Sequence, residues 1–302
     1  MSAKLLDGRV VASRLWRELS ERVAGAQERT GVQPRLAIVR FEERGPSAVY
    51  AASLARAARS VGIAPVEIIP PAGVQLSDLR ARIGALNRDA SISGIVLAQP
   101  MPAHLDAAAI VSLIDPAKDV DGATPLNAGR LARGDPAFVP ATALAVMAIL
   151  RTYEIPIAGK RAVVVGRSPV VGRPVANLLL EADATVVITH RRTRNLARET
   201  RRAEILVVAA GQPALIRSDM VNRSAVVIDC GINTTSAGIV GDADTAALRP
   251  VVRAITPVPG GVGPVTTMML LEQTVVAAER GLGAGDPLLE TLLVERGTTS
   301  DR

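Results

Sequence analysis

Short apolar runs recur along this chain with room for one helix between most of them. Residues 35–41, 66–69, 94–97, 161–165, 184–188, 205–209 and 225–229 read as buried strands. Runs this short and this continuously apolar suit strands covered on both faces. Between them lie stretches with helical periodicity, at 8–27, 47–61, 77–89, 141–153, 172–181 and 195–202, and a last one at 264–280. In the first, Val10, Val11, Leu15, Leu19 and Val23 fall near one stripe, and Ser47 is placed to cap the second. Strand and helix in alternation predict parallel βαβ units, hence an α/β fold. Residues 115–140 break the rhythm. They are rich in Asp, Gly, Pro and Asn, which predicts a long ordered loop at a site or a domain junction. The tail after Gly281 is weakly patterned and is expected to be partly mobile.

Composition narrows the function classes. Of 302 residues, 48% are hydrophobic and 21% charged, enough apolar material to exclude a disordered chain. No apolar stretch reaches the roughly 18 residues of a membrane span. The first residues mix charge with apolar side chains, unlike a signal peptide, so a cytoplasmic protein is expected. Cys230 is the single cysteine, which excludes an intrachain disulfide. The net charge of +6 is spread among interleaved acids, and there are only five aromatic residues. No nucleic-acid surface is expected from such a pattern; a small anionic ligand suits it. His104 and His190 are the only histidines, and no metal site is expected.

Three segments carry chemistry. In the first, the run Val163–Val164–Val165 enters Gly166–Arg167–Ser168–Pro169–Val170–Val171–Gly172–Arg173–Pro174 and then a helix. Glycine permits close backbone approach, and a helix N-terminus favours phosphate. The spacing departs from G-x-G-x-x-G, so by itself it fits a plain βα turn equally well. About 20 residues on, a site for NAD would carry an acid. Here the next strand ends in Thr189–His190–Arg191–Arg192, and two arginines favour the 2′-phosphate of NADP over NAD. In the second segment, Lys118–Asp119–Val120–Asp121–Gly122, a carboxylate could accept paired N–H groups from a heterocycle, although Asp-Gly is also common in turns. In the third, residues 256–266 hold three glycines and three prolines in eleven positions, a backbone suited to face a ligand.

Together with Asp229–Cys230–Gly231–Ile232–Asn233, these segments resemble the bifunctional methylenetetrahydrofolate dehydrogenase/methenyltetrahydrofolate cyclohydrolase family. The likeness runs from Leu6–Asp7–Gly8 to about Arg280. It implies two α/β domains with the substrate in a cleft between them. Residues 1–139, completed by 265–302, would form the catalytic and folate-binding domain, and 140–264 a Rossmann-like NADP-binding domain. It also implies a homodimer and oxidation of the methylene bridge of tetrahydrofolate to methenyl, followed by hydrolysis to the 10-formyl form. On this likeness Tyr50 stacks on the pterin, Asp121 anchors it, and Pro259, Gly260 and Gly261 face the substrate. Gly166, Arg167, Ser168, Val171, Gly172, His190, Arg191, Arg192 and Ile232 would bind the cofactor.

Two positions depart from the family. Its tyrosine is followed four residues later by a lysine on the same helix face; here Tyr50 is followed by Leu54. Its glutamine ahead of a Leu-Pro-Leu-Pro-like segment falls on Ala98, with Gln99 facing the other way on an extended chain. Arg56 lies about 200° round the helix and its guanidinium is too weak an acid to exchange protons near neutrality. Hydride transfer does not need that pair, whereas hydration of an iminium needs proton management. The expectation is therefore a dehydrogenase whose cyclohydrolase step is lost or weak. The alternatives are a paralogue reducing another imine, or a folate- or NADP-binding protein without catalysis.

Overall fold

The computed structural model describes residues 2–236 and 238–281; the expectation for the tail lies outside them. Eleven strands are described: β1 (Lys4–Leu5), β2 (Arg35–Val39), β3 (Ala64–Ile68), β4 (Gly94–Leu97), β5 (Arg161–Val165), β6 (Thr185–Thr189), β7 (Ile205–Val208), β8 (Val226–Asp229), β9 (Asn233–Thr235), β10 (Gly238–Val240) and β11 (Ala254–Ile255). The helices are α1 (Gly8–Thr30), α2 (Pro46–Ser60), α3 (Leu76–Arg88), α4 (Ala107–Val111), α5 (Pro125–Arg133), α6 (Ala141–Thr152), α7 (Gly172–Glu181), α8 (Leu196–Thr200), α9 (Thr245–Leu248) and α10 (Val262–Gly281). The chain divides into two compact units, one made of Met1–Leu15 with Pro140–Met269, the other of Trp16–Val139 with the residues from Leu270 on. The division falls within α1 and α10.

The first unit is a six-stranded sheet in the order β1-β11-β8-β7-β5-β6, parallel throughout. Its inner strands are continuously buried, as runs such as Ile205–Val208 require when both faces are covered. From β5 the chain steps out through α7 to the edge strand β6, then returns past β5 to β7. That reversal falls between β5 and β7, at whose carboxyl ends doubly wound sheets bind ligands. The first strand of the chain closes the far edge, Lys4 pairing with Ala254 and Leu5 with Ile255.

The second unit is a parallel sheet in the order β3-β2-β4. Helix α2 lays Ser47, Ala51, Leu54, Ala55 and Ala58 toward its core, a period of three to four residues. Ala37, Val39, Leu79, Ile83, Ile95 and Leu97 form a separate buried cluster of this unit, which includes none of those α2 residues.

Two expectations are corrected. Ser47 does not cap α2. Gly45, with φ of 130°, precedes the helix and Pro46 opens it, because proline's fixed φ suits the first helical position. Ser47 is buried in the first turn and donates its hydroxyl to Glu42 Oε2 at 3.0 Å. The segment 115–140 is not a continuous loop. It contains α5, begun by the Thr124 side chain and Pro125 and ended by Gly134 in the left-handed region at φ 72°. The residue α5 buries is the polar Asn127 while Leu126 is 51% exposed, so no apolar stripe marks it in the sequence.

Trp16, the only tryptophan, donates its indole N–H to Ser60 Oγ at 3.0 Å and so reports on the second unit. Ile38 on the central strand is fully buried there. Ile38→Ala should lower the stability of that unit by about 3–4 kcal/mol, read as a lower urea midpoint in Trp16 fluorescence.

Candidate active site

At the end of β5 the chain turns at Gly166, whose φ of 117° lies outside the range of other residues. A Cβ there would collide with the carbonyl oxygen of Ala209, just past β7. A Cβ on Gly172 would in turn strike the carbonyl oxygen of Gly166. The loop is thus folded back on the first turn of α7. Ser168 holds it: its Oγ accepts the N–H groups of Val171 at 3.2 Å and Gly172 at 3.4 Å. Arg167 is exposed and Val171 half-buried beside the turn.

The next strand delivers a basic loop. The N–H of His190 donates to Thr193 Oγ1 at 2.9 Å, and its Nδ1 accepts from the Arg192 N–H at 3.2 Å. The histidine therefore shapes this loop. Arg191 and Arg192 are exposed, and neither guanidinium has a side-chain partner among the described residues. A glycine cradle, the start of a ten-residue helix and two uncommitted guanidinium groups fit a phosphorylated dinucleotide. Ile232, 70% exposed, puts an apolar side chain at the same carboxyl edge of the sheet.

Beneath that edge lies a network the sequence did not reveal. Asp229 and Asp242 are buried and accept mostly from backbone. Asp229 takes the N–H groups of Gly231 (2.8 Å), Asp242 (3.1 Å) and Ala243 (2.8 Å). Asp242 takes those of Ala210, Gly211 and Gln212 at 2.6–3.0 Å and the Asn233 amide at 2.8 Å. A Cβ on Gly231 or Gly241 would overlap these carboxyl groups. The Gly-Ile-Asn and Gly-Asp segments were the available signal. Burial and the two carboxylates push the Cys230 thiol up, away from the thiolate a nucleophile needs.

Residues 256–261 fold against the start of α1. Gly8 N–H donates to Gly260 O at 2.9 Å, and a Cβ on Gly8 would collide with the Gly261 carbonyl. Pro259 remains exposed and Gly260 half-buried, while Gly261 is buried beneath them.

The second unit brings together Tyr50 and Asp121. Tyr50 is 39% exposed on α2, and its phenol is pushed up by burial of the hydroxyl and then by the charge of Asp121. Asp119, the other carboxylate of that run, is structural: it accepts the N–H groups of Ala123 and Thr124 and the Asn127 amide at 2.8–3.0 Å. Lys118 donates to the carbonyls of Leu86 and Asp89. Leu54, one turn beyond Tyr50, is 2% exposed and part of the core. Ala98 is fully buried and donates its N–H to Val39 O at 2.8 Å. Gln99 is exposed and turns its Oε1 back to accept the Met101 N–H at 3.2 Å.

A doubly wound parallel sheet with a glycine cradle at its point of reversal defines a dinucleotide-binding α/β protein. The particular family follows from comparison with known proteins. Residues 6–121 match the tetrahydrofolate dehydrogenase/cyclohydrolase catalytic domain, and residues 140–282 match the NAD(P)-binding domain of the same family. The chain belongs to the tetrahydrofolate dehydrogenase/cyclohydrolase family. It is 46% identical over 284 residues to the bifunctional protein FolD of Chloroflexus aggregans, covering 94% of this chain and 100% of that one. It is 48% identical over 279 residues to FolD of Acidiphilium cryptum, covering 92% and 99%. Among solved structures it is similar to the bifunctional FolD of Campylobacter jejuni, with a TM-score of 0.90, 40% identity and coverage of 92% and 99%. The Trypanosoma brucei enzyme, solved with NADP and an inhibitor, gives a TM-score of 0.89, 38% identity and coverage of 94% and 100%.

Burial raises the Asp229 carboxyl to about 6, against the three N–H groups that pull it down, with Asp242 adding to the rise. Its ordinary value is 3.8, so between the two the folded chain holds a proton that the unfolded chain has released. This group therefore leaves stability untouched below the lower value and costs up to about 3 kcal/mol as pH rises through the upper one. The carboxyl carbon resonance of Asp229 should titrate with a midpoint near the raised value; a midpoint below 4, in the ordinary carboxylate range, would contradict the assignment.

Proposed function

We propose that this chain is an NADP-dependent methylenetetrahydrofolate dehydrogenase whose cyclohydrolase step is lost or weak. The relatives named above are bifunctional. The observation that carries the difference is the burial of Leu54 in the core of the second unit, where the family's lysine belongs. No other amine substitutes. The chain has three lysines, and all are committed. Lys118 holds two backbone carbonyls, Lys160 pairs with Glu204 at 2.9 Å, and Lys4 lies over the Tyr153 ring. Arg56 is exposed rather than turned to the buried face. Gln99 does not replace the family's glutamine, because its carbonyl oxygen is spent on Met101.

NADP, when bound, accepts the hydride of the methylene bridge. The chain's own residues bind and orient: Asp121 accepts the N–H groups of the pterin, and the Tyr50 ring covers its face. Gly166, Arg167, Ser168, Val171 and Gly172 cradle the pyrophosphate, Arg191 and Arg192 take the 2′-phosphate, and His190 and Ile232 border the cofactor. Pro259, Gly260 and Gly261 face the substrate. No group at 54 or 98 can remove a proton from an attacking water, so the methenyl cation leaves unhydrolysed. As catalytic positions, Leu54 and Ala98 act by what they withhold.

The homodimer fits the edge strand β6, which ends the sheet with Ile188 43% exposed, and the exposed Leu180 of α7 at 63%. The domain limits 1–139 with 265–302, and 140–264, and a cytoplasmic location belong to the same reading. No described helix is long and apolar enough to cross a membrane.

With methylenetetrahydrofolate and NADP, NADPH and methenyl product should accumulate together, without conversion to the 10-formyl form beyond the uncatalysed rate. Leu54→Lys/Ala98→Gln should restore hydrolysis; brisk hydrolysis by the unmodified chain would refute the proposal. Cofactor binding without reduction would instead support a binding protein, and neither would support a different imine substrate.

Replacing Arg191 and Arg192 together by alanine should raise the Kd for NADPH about tenfold or more while leaving NADH binding within twofold, measured by nucleotide fluorescence. Equal loss for both nucleotides would remove the 2′-phosphate assignment.

A further inference from the structure

Gln273 on α10 is 2% exposed, a polar side chain inside an apolar helix face. Its amide group is fully used. Nε2 donates to Val120 O at 2.7 Å and to Val139 O at 2.8 Å, and Oε1 accepts the Val139 N–H at 2.9 Å. Both amide protons are spent on backbone carbonyls, and a hydrocarbon side chain would supply neither donor. Burying a primary amide costs free energy that an apolar residue would avoid, so its retention asks for a reason beyond packing.

The reason lies in what Val120 carries next to it. Val120 is fully buried and directly precedes Asp121. On the other side, Gly122 sits at φ 57° and donates to Asp119 O at 3.0 Å. A Cβ at 122 would lie 2.5 Å from Phe138 O, so this turn is pressed against the same 138–139 segment that Gln273 holds. The Asp119 carboxylate fastens the far end through Ala123 and Thr124. The peptide before Asp121 therefore cannot rotate without breaking the Gln273 bonds.

We infer that Gln273 is a positioning residue: it clamps the backbone at Val120 and Val139 and so fixes the direction in which Asp121 presents its carboxylate to the folate ring. This inference rests on the reading of Asp121 as the pterin anchor. It gives α10, remote in sequence from the Lys-Asp-Val-Asp-Gly run, a part in folate affinity and none in hydride transfer or cofactor affinity.

The test uses the full chain, with steady-state kinetics for each substrate and folate binding measured without cofactor. Gln273→Leu should raise KM for methylenetetrahydrofolate about tenfold, with kcat and the KM for NADP within about twofold. Gln273→Glu keeps the shape but turns an acceptor toward two carbonyls. It should show the same loss near neutrality and recover folate affinity as pH falls and the carboxyl gains a donor proton. A merely structural glutamine would lower the thermal midpoint and leave folate KM and its pH profile unchanged, which would overturn the inference. If the leucine variant does not fold, the glutamate variant and its pH profile decide. Asp121→Asn separates the two levels. If it leaves folate affinity intact, the pterin-anchor reading fails; if it weakens affinity while both Gln273 variants do not, only the positioning role fails.

Discussion

The structure depends on backbone approaching backbone closer than any side chain allows. At the point where the six-stranded sheet reverses, Ala209 O occupies the space that a Cβ on residue 166 would need, and Gly166 O occupies that of residue 172. The same exclusion operates between Gly8 and the Gly261 carbonyl. These contacts bring the carboxyl ends of β5 and β7 and the start of α7 together. A helix N-terminus placed there favours a phosphate. At these three glycines the missing atom makes room for another stretch of backbone.

The second theme is buried polarity satisfied by backbone. Asp119, Asp229, Asp242 and Gln273 are at most 2% exposed, and among their recorded partners peptide groups predominate. A carboxylate that gathers several N–H groups from different loops locks those loops together, because releasing any one leaves a charge short of partners in a poorly solvating interior. In the six-stranded unit this fastens the turn after β7 to the β9–β10 hairpin. In the other unit it holds the turn that contains the half-buried Asp121.

On the proposed reading, Leu54 and Ala98 are the reverse case, a polar pair replaced by an apolar one. A lysine or a glutamine left alone among apolar neighbours would be costly, whereas replacing both leaves a packed wall. Leu54 continues the apolar stripe of α2, and Ala98 extends β4 by one more backbone bond to Val39. On the proposed reading, the two residues leave the fold unaltered while changing the chemistry.

How much of this was legible in the sequence follows from the range of each interaction. Period and turn residues act over a few positions, so the strands 161–165 and 94–97, the helix 172–181, the glycine turn and the paired arginines were readable directly, and the motifs together pointed to the family. Helix α5 carries no apolar stripe, because it buries Asn127 and exposes Leu126, although Thr-Pro and Gly mark its ends. Ser47 was misread because a proline beside it competes for the start of the helix. By itself the sequence determined the alternating α/β class and the glycine turn at the sheet's reversal, since each is written in adjacent residues. Only the tertiary structure decided that Lys4–Leu5 completes a sheet with residues 254–255, which carboxylate of two is structural, and that a glutamine 153 residues away grips the peptide before Asp121. Those choices are made by hydrogen bonds across the fold, and a buried donor finds its acceptor by proximity in space, which no spacing along the chain records.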